Sequence, residues 1–117
     1  MKGSLAVMET IAWLSVSDAA DRLGVSVSRV LQLRRERQLL GVREDGELRI
    51  PADFLDGTAI VKHLPAVLTL LADGGFSDEE ALGWLFTAEV SLPGTPIRAL
   101  RENRGTEVKR RAQASAL

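Results

Sequence analysis

Residues 26–37 read Ser-Val-Ser-Arg-Val-Leu-Gln-Leu-Arg-Arg-Glu-Arg. These side chains suit hydrogen bonding to base edges and phosphates better than bond-making chemistry. An arginine presents two parallel donors that match guanine O6 and N7, a glutamine pairs with adenine, and a serine hydroxyl can meet several bases. Ser26, Ser28, Arg29 and Gln32 are therefore candidate base readers, and Arg34, Arg35 and Arg37 follow at positions suited to phosphates. Arg43 and Arg49 add two more cations a short distance on. Catalytic constellations are missing. There is no cysteine, and His63 is the only histidine, which excludes a thiolate zinc site and a multi-histidine metal site. Glu79 and Glu80 are adjacent and point in different directions, and Gly74-Gly75 lacks the lysine and flanking strand of a phosphate loop. Ser15, Ser17, Ser26 and Ser77 have no histidine or lysine arrangement to activate them and read as helix caps. No enzyme activity, metal or cofactor is expected.

The charge is segregated. The net formal charge over 117 residues is −1, yet residues 22–43 hold Arg22, Arg29, Arg34, Arg35, Arg37 and Arg43 against the single acid Glu36. Residues 44–96 hold ten acids against Arg49 and Lys62, and residues 98–111 hold six bases against Glu102 and Glu107. An anionic ligand would be drawn to part of the surface only. For Lys109, Arg110 and Arg111 the favoured reading is solvation of the last helix. At 45% hydrophobic and 26% charged the chain can build a core and is not a disordered tail. The longest nearly apolar run, Leu64 to Ala72, is about half of a membrane span. No signal peptide is read at the N-terminus, so a cytoplasmic, nucleoid-associated protein with no membrane partner is expected.

Spacing supplies the elements that would hold these residues. Met1 to Ser4 are expected to fray, within a flexible segment 1–12. Ser15 or Ser17 caps a helix over about 16–23, with Val16, Ala19, Ala20 and Leu23 on one face. Gly24 closes it, and Ser26 caps a second helix over about 27–36. That helix carries Val27, Val30 and Leu31 on its core stripe, with Arg34 extending it and Leu33 at the margin. Ser28, Arg29, Gln32 and Arg35 lie away from the core. Leu39–Arg43 and Glu47–Ile50, separated by Glu44-Asp45-Gly46, form a β-hairpin that Pro51 ends. The remainder reads as helical. A turn of helix at 51–55 is followed by helices from Pro65 to about Asp73, about 78–87 with a Ser77/Glu80 capping box, Pro96–Leu100 and about 106–114, and a loop lies at Ser91–Gly94.

Helix, glycine turn, helix and hairpin make a winged helix-turn-helix. Ala20 sits where the two helices approach, and Val25, Val30 and Leu33 lock the second onto the first. The fold class is mainly α: a winged helix-turn-helix over 13–60, then a helical region over 61–117 packed on it. The second helix would enter the major groove of double-stranded DNA. Arg29 and Gln32 would read bases there. Arg34, Arg35, Arg37 and Arg43 would hold the backbone, and Arg49 joins them from the wing strands. Glu44, Asp45 and Glu47 keep the wing tip away from phosphates.

The run Val16-Ser17-Asp18-Ala19-Ala20-Asp21-Arg22-Leu23-Gly24-Val25, with Val30, the arginines, Leu39-Leu40 and Ile50-Pro51, resembles the MerR/excisionase type of winged helix. The whole layout resembles small actinobacterial winged helix-turn-helix DNA-binding proteins associated with a serine/threonine protein kinase. That closer match is carried by Lys62-His63-Leu64-Pro65, Leu71–Phe76, Trp84-Leu85-Phe86-Thr87 and Val108–Gln113. It implies DNA binding through the winged region and a helical C-terminal domain. It also implies a kinase partner acting on an N-terminal tail, in which Thr10 is the only threonine here. Glu80–Leu85, Leu92–Pro96, Leu100 and Gly105–Val108 are similar to the toxin-binding domain of Xre/ParS-type antitoxins. That similarity implies an alternative: a protein-interaction or self-assembly module using the C-terminal helices around Trp84 and Phe86. DNA binding with a role in transcription regulation is the expected function.

Overall fold

Ser15 does two things at once. It is the last residue of strand β1 (Trp13–Ser15) and the N-cap of helix α1 (Val16–Leu23), where its Oγ accepts from the Asp18 backbone N–H at 3.0 Å. The computed structural model describes residues 9–89, 92 and 94–115. The expected fraying of Met1–Ser4 and the expected loop at Ser91 and Pro93 lie outside these residues. Order begins ahead of Trp13: Ile11 is buried, and the Ala12 carbonyl accepts from the Ala52 N–H at 2.8 Å.

α1 stops at Gly24, whose φ of 70° is the left-handed conformation that costs glycine nothing. The chain re-enters helix at once. Ser26 Oγ accepts from the Arg29 N–H at 3.1 Å and starts α2 (Val27–Arg35). Ala19 and Ala20 are buried between the helices, small enough to let them approach, and Val30 and Leu33 are the buried face of α2. Of the residues expected to lock α2 onto α1, Val30 and Leu33 are buried, but Val25 is 37% exposed; Val27, expected on the core stripe, is 45% exposed. α2 rests on α1 through its middle, while its first turn stays in solvent.

The wing is a hairpin of β2 (Val42–Glu44) and β3 (Glu47–Pro51), with Arg43 opposite Leu48. Asp45 and Gly46 both have positive φ, 54° and 81°, the tight turn whose twist matches that of the strands. β3 is central in a three-stranded sheet of order β1-β3-β2, with Leu14 opposite Ile50. The third strand was not anticipated: three residues are too few to show a period of two. After a 3-10 turn at Ala52–Phe54 comes a second unanticipated hairpin, β4 (Leu55–Asp56) and β5 (Ala59–Ile60), in a region expected to be helical.

Among the described residues four helices follow: α3 (Leu64–Asp73), α4 (Asp78–Leu85), α5 (Pro96–Arg101) and α6 (Gly105–Ser115). The capping box of α4 is made, with Ser77 Oγ accepting from Glu80 N–H at 3.1 Å and Glu80 Oε1 from Ser77 N–H at 2.9 Å. Gly105 is demanded by its neighbour, because a Cβ there would run into the His63 ring. His63 itself holds φ at 72° immediately ahead of α3. One apolar cluster runs from Ala20, Val30 and Leu33 through Ile50 and Phe54 to Leu68, Leu71, Leu82, Leu100 and Val108, so the winged part and the last four helices share a core. Among the described residues no helix is long and apolar enough to cross a membrane.

Candidate nucleic-acid interface

The face of α2 turned away from the core carries Ser28, Arg29, Gln32 and Arg35, all exposed. Burial of Val30 and Leu33 on the opposite side sets this orientation. Ser26 is exposed too, but its oxygen is engaged as the cap, leaving its hydroxyl hydrogen to donate outward.

One residue beyond the expected set joins this face. Glu36, directly after α2, accepts from Gln32 Nε2 at 3.1 Å and stands 3.7 Å from Arg29 Nη1. A single carboxylate therefore holds both candidate base readers. In the sequence Glu36 is the one acid of the basic segment, and its i+4 relation to Gln32 is the signal that ties it to this face. Exposed pairs of this kind contribute about 0.2–1 kcal/mol, so a competing ligand can displace them.

The arginines beyond are not equivalent. Arg34, Arg35 and Arg37 line a cleft of about 230 Å³ together with Leu39, Leu40, Leu68, Ala72, Phe76, Asp78 and Ala81. Arg34 is half-buried, and its Nε is shielded from solvent without an acceptor among the described residues. Its position is between the end of α2 and the helices α3 and α4. Arg35 and Arg37 are exposed at the rim. Arg37 holds φ at 59°, a region that costs a residue with a Cβ about 1–2 kcal/mol.

On the wing, Arg43 is exposed, with Nη1 3.4 Å from the Gly46 carbonyl. Arg49 is half-buried and faces the wing's own acids, 3.5 Å from Glu44 and 3.9 Å from Glu47. Structure thus places Ser28, Arg29, Gln32 and Arg35 on one open face, sets Arg34 apart in the cleft, and ties Arg49 into the wing.

Arg98, Arg101 and Arg104 are engaged within the fold. Arg101 donates to the carbonyls of Leu55 and Asp53, at 2.6 and 3.0 Å. Glu102 lies between Arg104 and Arg98, at 2.8 and 3.1 Å, and hydrogen bonds first from Arg104 and then from Arg98 hold its carboxyl below the usual range. Trp84 Nε1 donates to Ser115 Oγ at 3.1 Å, and the Phe86 ring lies 5.8 Å from that of Phe54.

Two family descriptions match this chain. Residues 5–55 match "DNA-binding protein Rv2175c, wHTH domain", and residues 61–116 match "Rv2175c C-terminal domain of unknown function". The DNA-binding protein Rv2175c of Mycobacterium tuberculosis is 43% identical over 110 residues, spanning 83% of this chain and 75% of the relative. The chain belongs to the Rv2175c family. The NMR structure of Rv2175c has the same fold, with a TM-score of 0.84 at 38% identity over 92% of this chain and 83% of that one. The resemblance to actinobacterial winged helix-turn-helix proteins is therefore a family relationship, and the winged helix with a helical C-terminal region is the Rv2175c architecture.

Proposed function

We propose that this chain binds double-stranded DNA by placing α2 in the major groove, and that it acts on transcription as a cytoplasmic, nucleoid-associated protein. The observation that carries this reading is the open face of α2, with Ser28, Arg29, Gln32 and Arg35 in solvent on a helix whose other side is anchored by Val30 and Leu33. A helix held this rigidly can present its N-terminal half to base edges. Arg29 and Gln32 leave Glu36 for bases, and Ser26 and Ser28 donate hydroxyl hydrogens nearby. Arg35, Arg37 and Arg43 take phosphates, with Arg34 and Arg49 as flanking charge. Phosphate contacts supply affinity and its salt dependence, while base contacts supply sequence choice. A strained Arg37 fits this role: a costly conformation is kept where a guanidinium is useful.

The protein-interaction alternative draws less support, because Trp84 and Phe86 are used within the fold, on Ser115 and Phe54. A kinase of the kind the family resemblance implies would act on Thr10, which is exposed ahead of β1.

The test is polarisation binding to random and genomic duplexes at two salt concentrations. Arg29→Ala combined with Arg35→Ala should weaken binding at low salt and flatten the salt dependence. Unchanged binding by that double variant would show the reading to be wrong.

A further inference from the structure

Among the described residues only two large apolar side chains are exposed, Val25 and Val27, and both stand at the entrance to α2. Neither belongs to the apolar cluster or to the side chains packed against it. A β-branched residue in the first turn of a solvent-facing helix is a weak helix former. An acid would suit that turn better, as Asp18 does in α1 and Asp78, Glu79 and Glu80 do in α4, yet the first turn of α2 has none, like those of α3 and α5. Apolar methyl groups and the absence of negative charge thus coincide on the one turn that a duplex would meet first.

We propose that Val27 reads the 5-methyl group of thymine in the major groove, with Val25 flanking it; this rests on the DNA-binding reading above. Thymine presents a methyl group beside the O4 acceptor, a combination no other base shows in that groove. Val27 supplies the apolar contact, and the neighbouring exposed Ser28 hydroxyl can donate to O4. Arg29, one residue on, is left for an adjacent guanine. The favoured site therefore contains a thymine next to a guanine-bearing step, met by the N-terminal turn of α2. Two partly exposed valines are far too small to form the core of a stable protein interface, which needs about 800 Å² from each partner. The charge of α2 itself also favours a nucleic acid, since it exposes Arg29 and Arg35 and carries no acid, while α1 sets Asp18 and Asp21 against Arg22.

The experiment selects a preferred duplex from a random-sequence library with the full chain. Each thymine is then replaced in turn by deoxyuridine, which removes only the methyl group. At one position the replacement should weaken binding about fourfold, the scale of burying a single methyl group. Val27→Ala should bind the thymine duplex about fourfold more weakly and show no further loss with deoxyuridine at that position. Its circular dichroism and thermal midpoint should match the parent, because Val27 is outside the core. The proposal is overturned if deoxyuridine is tolerated everywhere, or if Val27→Ala still distinguishes thymine from deoxyuridine. Selective binding that depends on Arg29 and Arg35 but ignores the methyl group would leave the DNA-binding reading standing without this one. Failure to bind any duplex would remove both. Loss of a protein partner by Val27→Ala, with DNA binding intact, would also overturn it.

Discussion

Gln32 Nε2 donates to Glu36 Oε2 at 3.1 Å, and the other oxygen of the same carboxylate faces Arg29. The free protein therefore holds its two candidate base readers on an acid that phosphates would repel. Ligand binding must break these contacts, and each is worth only about 0.2–1 kcal/mol at an exposed site.

Removing that acid should strengthen DNA binding. Glu36→Gln frees Arg29 from an ion pair and adds one unit of positive charge to the interface. Polarisation titrations should show affinity rising by up to about fivefold, the equivalent of about 1 kcal/mol, with a steeper dependence on salt. Stability measured by urea should change by less than about 0.5 kcal/mol. A fall in affinity would instead mean that Glu36 orients the two readers productively.

Arg37 separates stability from binding. Arg37→Gly removes the strain of a positive φ, while glycine adds chain entropy to the unfolded state. The two effects oppose each other, so urea midpoints should stay close to the parent. Duplex affinity should fall about equally across sequences, and the slope of log affinity against log salt should drop by about one.

Gly105 and His63 form a matched pair in the packing of α6 on the start of α3. Gly105→Ala would push a methyl group into the imidazole ring and should cost about 1–3 kcal/mol. Adding His63→Gly removes the ring and also suits the φ of 72° at that position. The double variant should recover much of the loss, a non-additivity readable from equilibrium unfolding.

Glu102 should give stability a component that depends on acid. Arg104 and Arg98 lower the pKa of its carboxyl in the folded state. A lowered folded pKa means the contribution is present above the ordinary carboxylate range and lost as pH falls through the folded value. Thermal midpoints of the parent and Glu102→Gln should differ most near neutral pH and converge in acid. Because the carboxylate is in solvent, added salt should narrow the same gap.

Arg101 links the C-terminal helices to the segment after the wing through the Leu55 and Asp53 carbonyls. Arg101→Ala leaves the partly buried Leu55 carbonyl without this donor and should cost about 1–3 kcal/mol. Arg101→Lys should recover only part of that, since one ammonium does not reproduce the guanidinium geometry.

Local signals in the chain were enough for the helix-turn-helix. Ser15 and Ser26 as caps, Gly24 as the left-handed stop, Asp45-Gly46 as the wing turn and the Ser77/Glu80 box are each decided within a few residues. Hydrogen bonds of that range do not depend on what packs elsewhere. The exposure of Ser28, Arg29, Gln32 and Arg35 also followed from helical spacing. Elements of two or three residues escaped: β1 exists because β3 offers it a partner, and β4 because β5 does. Sequence spacing places Val30 and Leu33 in the contact with α1 but also names Val27 as a core residue, and only the crossing of α2 over α1 shows that the contact leaves Val27 in solvent. The placing of Arg34 against α3 and α4, and of Glu36 between Arg29 and Gln32, was likewise decided by tertiary structure, because a side chain's partner depends on which surface the fold brings within its reach.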